Sequence, residues 1–323
     1  AQGRRPLFGV AQKAGAPRAE APPAEAAPPP RAQVKPPTGD VAASLQYLAP
    51  DPRRPFNYMF QREDGGEQAY GEFVSHAVTI RDARAGAEHL SLDVHGAVLL
   101  PHATALSAKD FYAEPSRIFG EYYAETRDLV QKATGASRVV VFDHNLRNPR
   151  DMQFRRGVVG YVPYAHNDYT EESAPLRVQD VAGPVAEELL GRRYMIINVW
   201  RNIADSPVAA DPFAVCDART VPREDYVPHD LIYKDRTGQT FSVLGNPAHR
   251  WMYFSGMARD EAMLLKCYDT REAPGLARWT AHCGFADPRA PAGAPVRESI
   301  DARCLAFFDE ADDVRTGLTA GEV

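Results

Sequence analysis

Cysteine is scarce. The 323-residue chain has four, Cys216, Cys267, Cys283 and Cys304, too few for a disulfide framework and without the CxxC pairing of a structural zinc site. Long hydrophobic runs are missing as well. Mean hydropathy is −0.39, and no stretch approaches the ~18 uninterrupted apolar residues of a membrane span. Basic residues are in deficit, with a formal net charge of −6 and a pI of about 5.9. That argues against nucleic acid as a partner, because phosphate neutralisation needs a basic face. No glycine-rich phosphate loop of the dinucleotide or nucleoside-triphosphatase type occurs, and no GxSxG nucleophile elbow. These features predict a soluble protein of a reducing compartment, expected in the cytoplasm, with a sizeable core: 44% of residues are hydrophobic and 25% charged.

Proline is in excess, at 27 residues against the usual ~5%. Nine prolines and ten alanines fall in residues 1–40. That stretch has neither helical nor strand periodicity, so residues 1–42 are expected to form a disordered tail. Arg4-Arg5 lacks the apolar segment that must follow a twin-arginine export signal. Residues 43–323 are expected to form one domain. Residues 115–133 predict a helix opened by Pro115 and closed by Gly135. Short β-like runs follow at 138–142, 157–162, 194–200, 213–216, 241–244, 250–254, 262–268, 278–285 and 300–308. Many short strands behind a helix or two predict a mainly β jelly-roll or barrel with flanking α-helices.

The chemistry begins at His166-Asn167-Asp168, just after an apolar run. In a strand, residues i and i+2 share a face, so HxD aims an imidazole and a carboxylate at one point. That is two thirds of the 2-His-1-carboxylate triad of non-haem iron(II) sites. The third ligand comes from His229, His249 or His282. His229 lies in loop-like sequence, and His249 opens a strand. His282 is followed by a proline-rich loop and then Arg297-Glu298-Ser299. An Arg-x-Ser there provides a guanidinium fork and a hydroxyl for the far carboxylate of a 2-oxo-dicarboxylic acid. This order of parts favours His282 over His249. Cys283 falls on the opposite face of the strand and is not a ligand.

Seven segments come in one order: 141–147 (Val-Phe-Asp-His-Asn-Leu-Arg), 166–170 (His-Asn-Asp-Tyr-Thr), 197–201 (Ile-Asn-Val-Trp-Arg), 214–219 (Ala-Val-Cys-Asp-Ala-Arg), 246–251 (Asn-Pro-Ala-His-Arg-Trp), 260–269 (Asp-Glu-Ala-Met-Leu-Leu-Lys-Cys-Tyr-Asp) and 297–300 (Arg-Glu-Ser-Ile). Together they resemble the family of hydroxylase/desaturase-type oxidoreductases that includes the cephem 7α-methoxylase-related subunit of cephamycin biosynthesis and a fungal meroterpenoid endoperoxidase. The resemblance spans about residues 55–308. It implies a double-stranded β-helix (jelly-roll, cupin-like) core and an iron(II)- and 2-oxoglutarate-dependent oxygenase that hydroxylates or desaturates a small secondary metabolite. Position by position, it implies His166, Asp168 and His282 as iron ligands and Arg297 as the 2-oxoglutarate arginine, with Ser299 beside it. Asn198, Trp200 and Arg201 are expected to supply contacts to 2-oxoglutarate or substrate. Asp143, His144 and Arg147 are expected to form an ion-pair network. Two alternatives stay open: a metal-dependent hydrolase using the same ligands, and a non-catalytic subunit beside a partner enzyme. A homodimer is a further expectation.

Overall fold

The structure is a computed structural model that describes residues 34–149 and 158–309. The expected tail falls on residues 1–33, outside the described residues, for most of its length. Val41 and Ala42, assigned to that tail, instead open the first strand. In chain order the strands are β1 (Val41–Leu48), β2 (Phe56–Tyr58), β3 (Ala69–Tyr70), β4 (Phe73–Asp82), β5 (Ala97–Pro101), β6 (Arg138–Arg147), β7 (Val158–Val159), β8 (His166–Asn167), β9 (Tyr194–Asn202), β10 (Phe213–Cys216), β11 (Tyr226–Ile232), β12 (Thr237–Val243), β13 (Trp251–Tyr253), β14 (Glu261–Asp269), β15 (His282–Gly284) and β16 (Ser299–Phe307).

They form two curled sheets. The larger runs β1-β4-β13-β10-β15-β8-β12-β11-β2-β3, and the smaller runs β5-β14-β9-β16-β6-β7. This is the expected mainly β, double-stranded β-helix architecture. Strands β9, β14 and β16 are buried along nearly their whole lengths, because the small sheet is covered on both faces. One face meets the large sheet in a common core that includes Ile196, Met263, Cys304, Val215, Phe241 and Cys283. The other carries a helical layer, in which Phe111, Ile118 and Tyr122 pack with Ile300 and Ala302.

The predicted helix at 115–133 is interrupted. Pro115–Arg117 leads into a π-helical turn, Ile118–Tyr122, before the regular helix Tyr123–Thr134. Gly135 closes it at φ 71°, the left-handed cap a glycine adopts without a Cβ penalty. A second helix, Ser173–Ala182, was not anticipated. Its apolar positions Ala174, Val178 and Val181 follow a helical period, but Pro175 obscures the pattern. Residues 226–243 correct another expectation. They form a regular antiparallel hairpin of β11 and β12, so His229 lies in a strand and not in a loop. Among the described residues no helix is long and apolar enough to cross a membrane.

One buried charge cluster fixes the end of β14. The Lys266 ammonium, fully buried, donates to Asp93 Oδ1 at 2.7 Å and Asp269 Oδ2 at 2.8 Å. Arg193 and Arg271 pair with the same two carboxylates. Lys266→Met removes two charge-assisted hydrogen bonds from this buried set, so it should destabilise the protein by about 3 kcal/mol. Urea unfolding of the variant beside the parent checks this, and a change within error of zero would show that the cluster contributes nothing net.

Candidate metal centre

His166 sits on β8, a strand of two residues, and its register partner on β15 is His282. Directly opposite residues of an antiparallel pair project to the same face, and the two imidazole centroids lie 4.3 Å apart. Each ring is oriented in the same way. The His166 Nδ1–H donates to the Tyr164 carbonyl at 2.9 Å, and the His282 Nδ1–H donates to the Thr280 carbonyl at 2.8 Å. A carbonyl can only accept, so both Nε2 atoms are left with a lone pair pointing at one place. Asp168 Oδ1 completes the set, 3.5 Å from His166 Nε2 and 3.7 Å from His282 Nε2. All three ligand atoms lie within 4.8 Å of one another.

Electrostatics favour the ligating state. Burial, with the charge of neighbouring His282, pushes the His166 pKa down to about 3. Burial pushes Asp168 up, but neighbouring His282, with Arg303 and His166, outweighs it and holds the carboxyl well below the usual range. A neutral imidazole and an ionised carboxylate are what a divalent metal requires. The other oxygen of Asp168 is occupied. Oδ2 accepts from Asn198 Nδ2 at 2.7 Å and lies 3.8 Å from Arg303 Nε, which turns Oδ1 toward the imidazoles.

Arg297 lies in the same narrow cleft as His166, Asp168 and His282. It is 3% exposed. One guanidinium N–H donates to the Asp211 carbonyl at 2.9 Å, and the group lies over Tyr161 and Trp200 at 5.0 and 5.7 Å. Among the described residues no carboxylate forms an ion pair with it, and burial with the nearby charge of Arg147 lowers its pKa to about 10. Ser299 is fully buried, and its hydroxyl has no hydrogen-bond partner. It stands in register with Arg147 and Asn202, but it does not line the cleft.

Not every expected residue comes to the site. Asn198 and Trp200 line the cleft, and Trp200 stacks on Phe213 at 5.5 Å. Arg201 does not. Strand alternation turns it to the helical side, where its guanidinium donates to the carbonyls of His102 and Arg259 and faces the Tyr122 ring. The expectation that it contacts 2-oxoglutarate is therefore corrected. His249 is also elsewhere, bonded to Asp225 through Nε2 at 3.0 Å and to the Tyr47 hydroxyl through Nδ1 at 3.2 Å. His229 bonds Ser242 at 2.8 Å.

The expected ion network is distributed differently. Asp143 pairs with Arg303 and Arg147 with Asp301, across the β6–β16 register, while His144 bonds Tyr123 on the helical side. Arg303 and Asp301 were missed. Their signal was the period of two running Arg297, Ser299, Asp301, Arg303.

The family model described as "Oxidoreductase/YMDC permease-like domain" matches residues 45–307. The hydroxylase/desaturase efuI of Hormonema carpetanum is 32% identical over 304 residues, which cover 84% of this chain and 99% of that protein. The Fe(II)/2-oxoglutarate-dependent dioxygenase nvfI of Aspergillus novofumigatus (strain IBT 16806) is 30% identical over 272 residues, covering 82% and 96%. A solved structure of the iron and alpha-ketoglutarate-dependent endoperoxidase NvfI matches with a TM-score of 0.76 at 27% identity, covering 84% of this chain and 99% of that one. The fold and cleft define a double-stranded β-helix oxidoreductase. The chain belongs to the hydroxylase/desaturase family of iron(II)/2-oxoglutarate-dependent oxygenases that its motifs resemble.

The two histidine candidates separate cleanly by measurement. His282→Ala should weaken Co(II) binding by about 100-fold or more, since it deletes a donor outright. His249→Ala should bind Co(II) as the parent does and lose thermal stability instead. The reverse pattern in a metal titration would move the third ligand to His249.

Proposed function

We propose that His166 Nε2, His282 Nε2 and Asp168 Oδ1 hold iron(II), and that Arg297 receives the far carboxylate of 2-oxoglutarate. The observation that carries this reading is Arg297 itself, a buried guanidinium with no carboxylate partner in the cleft that holds the triad. Burying an unpaired charge is costly. A dicarboxylic co-substrate removes that cost, and Asp211 supplies only a carbonyl. Ser299, two residues on, has a buried hydroxyl with no hydrogen-bond partner, but it does not line the cleft and is not assigned to the co-substrate.

The donor set fits the metal. Two imidazoles and one carboxylate leave positions open on an iron(II) ion, and both imidazoles are fixed through their distal nitrogens. Once bound, iron and 2-oxoglutarate supply oxygen-dependent decarboxylation to succinate and carbon dioxide, coupled to removal of hydrogen from an unactivated carbon. The chain's own contribution is positional. Asn198 holds the spare carboxylate oxygen of Asp168. Trp200 and Phe213 wall the cleft with stacked rings, and Phe213 packs on His282 at 5.5 Å.

A larger cavity of about 490 Å³ opens from His166 and Asp168 toward solvent, room for a small-molecule substrate. The outcome is hydroxylation or desaturation of a secondary-metabolite-like compound. The reading keeps one oxygenase-like domain from about residue 43, and the first strand, which opens at Val41, is taken as part of it. The four cysteines are buried and unpaired, which suits the cytoplasmic location and the reducing compartment we propose. A homodimer or a partner enzyme belongs to the same reading, and light scattering of the purified chain reads it directly.

Anaerobic addition of iron(II) and 2-oxoglutarate should produce a visible metal-to-ligand charge-transfer band. In Arg297→Gln the 2-oxoglutarate concentration needed for half of that band should rise by about 100-fold, the loss of a charge-assisted fork in a buried site. No band in the parent protein would favour the non-catalytic subunit instead.

A further inference from the structure

The cavity that opens from the metal centre has two unlike walls. One is a single face of the helix Ser173–Ala182: Ser173, Leu176, Arg177 and Asp180 line it, at the i, i+3, i+4, i+7 spacing of one helical stripe. The other comes from β2 and the β11–β12 hairpin, with Met59, Leu231, Tyr233 and Arg236. The walls are tied together by Gln239, whose amide donates to Glu172 at 2.8 Å and accepts from the Thr170 hydroxyl at 2.9 Å.

Two properties of these walls point to an occupant. The first is apolar exposure. Four large hydrophobic side chains are exposed among the described residues, and Met59 and Leu176, each 50% exposed, both line this cavity. The second is positive charge, at Arg177 and Arg236. Arg177 lies over the Phe142 ring at 5.3 Å and has one ionic contact, to Asp180 at 3.6 Å, while its Nε is buried with no hydrogen-bond partner. Arg236 stacks on Tyr233 at 4.3 Å, and no carboxylate pairs with it among the described residues. The other two lining arginines, Arg147 and Arg303, are already committed to Asp301 and Asp143.

We infer that the substrate is an amphipathic carboxylic acid, with its apolar body between Met59, Leu176 and Leu231 and its carboxylate on Arg177 and Arg236. This rests on the reading of the cavity as the substrate site, and it adds the substrate's chemical class. The guanidinium fork matches a carboxylate. An apolar body covers side chains that otherwise face water.

A matched pair of fluorescent probes tests it: 4-(1-pyrenyl)butyric acid and its methyl ester, titrated into the purified chain with and without anaerobic iron(II) and 2-oxoglutarate. The acid should bind about tenfold tighter than the ester, and the preference should shrink as salt rises. In the double variant Arg177→Gln/Arg236→Gln the preference should vanish, while ester affinity and the melting temperature stay as in the parent. Equal affinities, a preference that survives in the double variant, or failure of both probes to bind would each overturn the inference. Acid preference in the metal-free chain, with no charge-transfer band on reconstitution, would keep this inference and defeat the metal-centre reading alone.

Discussion

Everything chemical in this molecule depends on one register: His166 opposite His282 across β8 and β15. A slip of one residue would turn an imidazole to the far face, and β8 is too short to hold its own register through backbone bonds. The residue between the two ligands supplies the restraint. Asn167 is fully buried and points away from the cleft. Its amide donates to the carbonyls of Tyr169 and Cys267, at 2.8 and 2.9 Å, and its oxygen accepts from the Thr280 backbone N–H at 3.3 Å. One side chain thus ties β8 to β14 in the opposite sheet and to the residue whose carbonyl orients His282. Thr280 is held in turn by the Gly96 carbonyl at 2.9 Å. Gly96 sits at φ 82°, and a Cβ there would come within 2.2 Å of the Thr280 hydroxyl, so this position accepts only glycine.

The HxD pair was legible in the sequence because its geometry is local: two residues on one strand face need no knowledge of the partner strand. Arg297, expected from the Arg-x-Ser pattern, does line the cleft, but its i+2 neighbour Ser299 does not. His282 required the order of several segments, since nothing local separates it from His249. Arg201 falls outside the cleft for an equally local reason. Strand alternation that puts Asn198 and Trp200 in the cleft must put Arg201 outside it. The pairing of Asp143 with Arg303 and Arg147 with Asp301 was beyond reach, because it depends on which strands lie side by side. The helix Ser173–Ala182 and the β11–β12 hairpin were hidden by Pro175 and Pro228, residues that usually mark breaks. In the hairpin Pro228 stands opposite Phe241 within an unbroken register.

Charge accounts for the way these parts fit together. Two carboxylates line the cleft, on Asp168 and Asp301, and two guanidiniums, on Arg147 and Arg297, with the paired Asp143 and Arg303 contacting Asp301 and Asp168. The numbers are equal, but the pairing is not. Asp301 and Asp143 are matched by Arg147 and Arg303, which leaves Asp168 with only a glancing contact at 3.8 Å to Arg303 and Arg297 with none. The unmatched anion sits with the two imidazoles, and the unmatched cation sits elsewhere in the cleft. A divalent metal ion at the first and a dicarboxylate at the second bring in equal and opposite charge, so the filled site is as neutral as the empty one. Burial at low dielectric makes that balance a requirement. Bound together, iron(II) and 2-oxoglutarate would each supply the counter-charge that the other lacks.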